Sequence, residues 1–213
     1  MQTTIKNEKS KYWFVFMLSI TLLLSVVILI INIFRWSLVE ILTPFLEPIL
    51  ELFVYGCFII FMLISLLYLL FTKSRRNRKR NAIPLGIMIL VFGIVVFVPF
   101  TRMTIELDYY AHNSEREEVI KLIEEGKITK SKDQFVTLLP KKYRNLSKGG
   151  GEIVITGSDV HKEVLFYTFR GVIDNFSGFI YTSNGSYPDE TLYGSRFVEV
   201  KKYKEHWFWV SAT

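Results

Sequence analysis

Along the first hundred residues the chain is apolar in three uninterrupted runs, residues 12–34, 52–72 and 83–100, which are 23, 21 and 18 residues long. At about 1.5 Å rise per residue each covers roughly 27–34 Å, the thickness of a bilayer's hydrocarbon core. None of the three contains Asp, Glu, Lys, Arg or His. Backbone polar groups in lipid must be satisfied within their own segment, so the pattern predicts three transmembrane helices. Beyond residue 100 the apolar content drops and turn residues appear, which predicts one small domain over 101–213 with a modest core.

Within that domain Ile105, Leu107 and Tyr109 alternate with Glu106 and Asp108, which favours a strand over 101–112 rather than an extension of the third helix. A helix is predicted next. Ser114-Glu-Arg-Glu117 reads as a capping box, Val119, Ile120, Leu122 and Ile123 supply an apolar face, and Gly126 is the C-cap. The period then changes to two, giving candidate strands at 134–139, 152–156, 163–170, 176–182, 196–203 and 207–211. Turn signals such as Gly149-Gly-Gly151, Asp174-Asn175 and Asn184-Gly185 separate them, and 140–147 reads as a short helical turn. The fold class is therefore a three-helix membrane region followed by an α+β domain with an antiparallel sheet, drawn as a meander. A small barrel is the alternative closure.

Charge gives the membrane region a direction, because Lys and Arg resist translocation. Residues 1–100 carry 10 basic and 4 acidic side chains, and residues 101–213 carry 16 of each. The excess stands in the tail 1–11, with Lys6, Lys9 and Lys11, and in the loop 73–82, with Lys73, Arg75, Arg76, Arg78, Lys79 and Arg80. Two spans separate these segments, so they share a side, and the rule places both in the cytoplasm and the C-terminal domain outside. A basic excess beside the bilayer reads as orientation and attraction to anionic lipid, which argues against nucleic acid as a partner. The first run is too long for a signal-peptide core and lacks a small-residue cleavage pattern, so it is kept as an anchor. Tyr12, Trp13, Phe34, Trp36, Tyr68 and Phe71 sit at the predicted boundaries.

Between the first two spans, residues 37–51 place Glu40, Glu47 and Glu51 on one helical face, with Pro44 and Pro48 as a start and a bend. This predicts a broken amphipathic segment on the outer leaflet, with an ordinary apolar loop as the alternative. The spans carry no ionisable group, a pattern that speaks against a transporter acting alone. Gly86 and Gly93 are seven apart and share a face that can approach another helix closely, within the chain or in a second copy. Cys57 is the single cysteine and lies in a span, so the domain folds without disulfides.

Chemistry is sparsely signalled. His112, His161 and His206 are scattered, no nucleophile elbow, phosphate loop or dinucleotide fingerprint is present, and neither metal nor cofactor is expected. The densest polar cluster is 166–178, where Arg170 and Asp174 flank a turn as a hairpin pair or a recognition loop. Trp207, Phe208 and Trp209 cannot all point to one side of a strand, so either Phe208 or the tryptophan pair is left for a partner, the bilayer or a covering helix. Asn145, Asn175 and Asn184 each begin an Asn-x-Ser pattern, a glycan acceptor on an exported surface in a eukaryote, and turn chemistry explains at least two of them equally well.

In plan, a few short helices joined to one β-rich domain, the chain resembles the small multi-pass membrane effectors of bacterial antiviral defence systems of the retron or cyclic-nucleotide type. The resemblance rests on architecture and transfers no functional residue. It implies a bacterial inner-membrane protein, not an enzyme, that perturbs the membrane in abortive infection, with the bilayer and a protein partner or further copies of itself as its contacts. One departure stands out: the charge rule places the domain outside, whereas an effector answering a cytoplasmic messenger holds its sensor inside. An envelope sensor or toxin-immunity protein is the alternative, and an envelope hydrolase acting through His161 or Asp174 a third.

Overall fold

The computed structural model describes residues 2–72, 75–130, 135–158, 161–171 and 175–213. The chain divides into two compact units, Met1–Thr104 and Ile105–Thr213.

The first unit contains α1 (Gln2–Ile33), α2 (Arg35–Leu70) and α3 (Arg75–Phe97). All three are long and apolar enough to cross a membrane, over Lys11–Ile33, Phe45–Leu70 and Asn77–Phe97, and this is a membrane protein. Each helix packs on the other two through a common core of Ile28, Ile31, Val54, Phe58, Met88 and Val91. Polar side chains join the same interfaces: Tyr55 Oη donates to Asn32 Oδ1 at 3.1 Å, and Asn81 Nδ2 donates to Thr72 Oγ1 at 3.0 Å across the α2–α3 turn. The outward side chains are large and apolar, as lipid requires of a helix with no other cover.

Two predictions are refined in this unit. The basic segment 73–82 is largely helix, because α3 begins at Arg75 and carries Arg76, Arg78, Lys79 and Arg80 on its first turns, while Lys73 lies outside the described residues. Pro84, inside the helix, follows these turns. Residues 37–51 belong to α2, which is broken at Thr43 (φ 75, ψ 155) directly before Pro44. Proline drives the preceding residue out of the helical region, and in α2 this happens at Thr43, before Pro44. In a straight helix residues 12 apart lie about 18 Å from each other. Arg35 nevertheless bonds Glu47 at 3.1 Å and Glu51 at 3.0 Å, so the chain folds sharply back at the break.

The second unit is α+β. Helix α4 (Phe100–Glu124) enters it, followed by β1 (Thr137–Leu138), β2 (Glu152–Gly157), β3 (Lys162–Arg170), β4 (Phe176–Thr182), β5 (Phe197–Lys204) and β6 (Trp207–Ala212). Short 3-10 turns at Lys141–Leu146 and Glu190–Tyr193 stand between strands. The strands form one open antiparallel sheet in the order β1-β2-β3-β4-β6-β5. All six predicted strands are found, although residue 134 lies outside the described residues. The plain meander is corrected: β6 inserts between β4 and β5, and β5 becomes the edge. The strand predicted at 101–112 is also corrected, since α4 runs through it without a new start at Ser114. Ile105 and Tyr109, four apart, both face the core, and that helical spacing prevails over the short alternation around them. Gly126 follows the helix end with φ 71, and its N–H reaches Ile123 O while Lys127 N–H reaches Leu122 O, as in a left-handed C-cap.

The sheet is covered on both faces. On one lie Phe166, Phe179, Trp207 and Trp209, with Tyr109 and Arg116 of α4 against Phe179. On the other, Val154, Leu165, Tyr167, Phe176, Ile180, Val210 and Ala212 pack beneath Leu192 and Tyr193.

Candidate functional site

A concavity among the described residues lies at one end of the sheet, where the C-terminal half of α4 passes over β4 and the β5–β6 turn. It has a volume of about 290 Å³. Each wall follows from local structure. Glu117, Lys121 and Glu124 recur at three- and four-residue spacing on α4, Lys204, Glu205 and His206 form the turn, and Tyr181 and Trp207 are register partners on β4 and β6. Ile120 and Trp207 make an apolar floor, 5% and 2% exposed.

Most polar groups of the groove are already oriented. Glu117 Oε1 accepts from Lys204 Nζ at 3.0 Å and from Asn113 Nδ2 at 3.1 Å. Burial pushes the Tyr181 hydroxyl above its ordinary pKa, and the nearby Glu124 carboxylate, to which it is hydrogen-bonded, adds to the shift. His206 Nδ1 lies 2.8 Å from Thr182 O. A carbonyl only accepts, so Nδ1 carries a proton and donates it. The His206 ring is tilted against Tyr181, centroids 5.6 Å apart. An aromatic floor rimmed by carboxylates, lysines and an oriented imidazole suits a small polar ligand. None of the lining residues is Ser, Thr or Cys, so the groove holds no hydroxyl or thiol nucleophile of that kind.

The residues singled out from sequence fare differently. Trp207 and Trp209 are buried together with Phe208, at 2%, 7% and 0% exposure, so the run offers no free aromatic surface. The two tryptophans share the α4 side, where Trp209 Nε1 donates to Thr168 Oγ1 at 3.2 Å, and Phe208 meets Tyr187 on the far side. Only Trp207 reaches the groove. Arg170 ion-pairs with Glu152 on β2 and stacks over Tyr167 at 5.2 Å, while Asp174 lies outside the described residues. His161 Nε2 bonds Glu163 Oε1 at 2.9 Å, and His112 contacts Asp108 on α4. Asn184 closes a turn by accepting from Ser186 N and Oγ. A Cβ added at Gly86 or Gly93 would meet nothing within 4 Å, so neither glycine is used for close packing inside the chain. Arg80 lies over the Phe14 ring at 5.0 Å, joining the start of α3 to the start of α1.

Two buried polar nodes escaped the sequence reading. Arg116 is 1% exposed, donates to Asp108 Oδ2 at 2.5 Å and to Leu146 O at 3.2 Å, and stacks on Phe179 at 4.7 Å. Burial holds its pKa below the ordinary arginine value, opposed by the Asp108 carboxylate. Glu163, fully buried, accepts from His161, from Tyr193 Oη at 2.9 Å and from Asp189 N at 3.0 Å. Both were signalled by position: Arg116 falls seven residues from Tyr109 and from Ile123 on the apolar face, and Glu163 precedes Leu165 and Tyr167 on one side of β3. Among the described residues no group of three or more His, Cys, Asp or Glu is placed to hold a metal ion.

No protein-family model matches the chain, and comparison with curated proteins and with solved structures gave no match.

Proposed function

We propose that this protein is a bacterial inner-membrane effector, not an enzyme, whose helices associate between copies and perturb the bilayer in antiviral defence. Its N-terminus and the basic start of α3 lie in the cytoplasm, and its α+β domain is exported. The observation that carries this reading is the open face of α3. Gly86 and Gly93 permit close helix approach, no described residue lies within 4 Å of a Cβ built at either, and Gly86 is exposed while Gly93 is half-buried. A second copy is the partner able to use that face. The asymmetry of charge, with Arg78, Lys79 and Arg80 opening α3, supports the orientation.

The test is overexpression in a bacterial host, read as growth arrest and entry of a membrane-impermeant dye. Gly86→Leu with Gly93→Leu is expected to abolish both at unchanged membrane level, because a Cβ at either position meets no other described residue within 4 Å. Undiminished toxicity of the double variant ends the proposal. A phosphatase fusion at Thr213 reports the side, with activity expected for an exported domain.

The groove favours a second reading, an envelope sensor or immunity protein whose domain receives a ligand or partner. In that case Glu124→Gln with His206→Gln silences the response, and a chain lacking the domain is inert.

A further inference from the structure

Two residues, Val98 and Pro99, separate the end of the third candidate span at Phe97 from the start of α4. At 100° per residue, Met103, Leu107 and Tyr110 (i, i+4, i+7) fall within about 60° of one another on α4. They are 49%, 68% and 78% exposed, on the side opposite the core-facing Ile105, Tyr109 and Arg116. Exposed Ala111 extends the stripe. Farther along, the same outward side changes character: Ser114, Glu118, Lys121 and Glu125 are exposed and polar. One helix therefore carries an apolar outer face over its first three turns and a polar one over its last three, while its inner face stays buried throughout.

We propose that the first three turns of α4, residues 100–111, lie in the headgroup layer of the bilayer, with Met103, Leu107 and Tyr110 turned toward the acyl chains. Continuity with the third span brings the stripe there, and the change at Ser114 marks where the helix leaves for water. Neighbouring charge permits the placement. Glu106, beside the stripe, is paired with Lys201 at 2.7 Å, Asp108 is paired with Arg116, and exposed Arg102 is long enough to reach lipid phosphate. A second copy is a poorer occupant, because three side chains fall far short of the about 800 Å² per partner that a stable interface buries. The proposal stands whichever side of the membrane the domain occupies.

The experiment uses the full chain with Cys57→Ala, reconstituted in vesicles of phosphatidylethanolamine and phosphatidylglycerol. Nitroxides are attached one at a time at Leu107→Cys, Tyr110→Cys, Ser114→Cys and Lys121→Cys, and collision with oxygen is compared with collision with a water-soluble nickel chelate. Native tryptophan emission, which includes buried Trp207 and Trp209, verifies the fold of each variant. The oxygen-to-nickel ratio is expected to be several-fold higher at 107 and 110 than at 121, with 114 between. Nickel access at 107 and 110 equal to that at 121 overturns the proposal. So does spin–spin broadening at those positions, which assigns the stripe to a second copy, and so does low access to both reagents, which assigns it to protein cover.

Discussion

Tyr109 and Arg116 stand two helical turns apart on the buried face of α4, and they satisfy their polar atoms very differently. Arg116 meets a carboxylate, a carbonyl and an aromatic face, whereas the Tyr109 hydroxyl is buried with no hydrogen-bond partner among the described residues. An unpaired buried hydroxyl costs about 1–3 kcal/mol, so Tyr109→Phe is expected to leave stability unchanged or raise it, measured as the thermal midpoint of the full chain in detergent. Burial, helped by Glu117, pushes the Tyr109 pKa up to about 12. The folded state thus holds a proton that the unfolded chain releases near pH 10; the associated stability is present below pH 10 and fades as pH rises toward 12. Tyr109→Phe is expected to shrink that alkaline loss. Glu163 is the opposite case, a buried carboxylate with three donors. Removing one bond to a charged group costs about 1.5–3 kcal/mol, so Tyr193→Phe should lower the midpoint, and Glu163→Ala should lower it further by stranding all three donors. A midpoint unchanged in Tyr193→Phe would show that this bond contributes nothing.

Thr43 sits in a backbone region that is nearly glycine-only, at φ 75 and ψ 155. Its strain, about 1–3 kcal/mol, is held by Pro44 and by the Arg35 pairs to Glu47 and Glu51 across the break. Thr43→Gly is expected to raise the midpoint while keeping the fold, and a lower midpoint would show that the threonine side chain contributes more than its backbone costs. Legibility in the sequence varied from element to element. The strands were plain because each is a short run rich in β-branched and aromatic residues between turn signals. The first half of α4 misled because five residues, 105–109, happen to alternate, and so short a stretch carries less weight than the 25-residue helix it belongs to. Thr43 was foreshadowed by Pro44, but Pro48 gave an equal signal, and only the fold-back that lets Arg35 reach both glutamates separates them.

The sheet's order has consequences for the entire domain. Because β6 lies between β4 and β5, the last strand in sequence is interior in space. A chain ending at His206 is expected to lose protease resistance throughout 105–206, whereas one lacking only Thr213 should keep it; survival of the shorter chain would contradict the interior place of β6. The exposed edge strand β5 carries Lys201, Lys202 and Lys204 and two register irregularities, features that discourage pairing with another sheet. No periodicity announced this order, since antiparallel neighbours leave the same alternation in either arrangement. The burial of all three residues 207–209 was equally hidden, because it depends on residues 183–196 returning over the second face, and that stretch has no repeating pattern.

The amino-acid sequence alone determined the three spans, the six strands and the division near residue 100, because local composition, the length of apolar runs and the turn signals between them suffice for each. Tertiary structure alone decided the place of β6, the burial of Arg116 and Glu163, and the assembly of the groove from Glu117, Glu124, Tyr181 and His206. Those features need partners distant along the chain, and such pairings are selected by packing on both faces of the sheet, which no short stretch of residues encodes by itself.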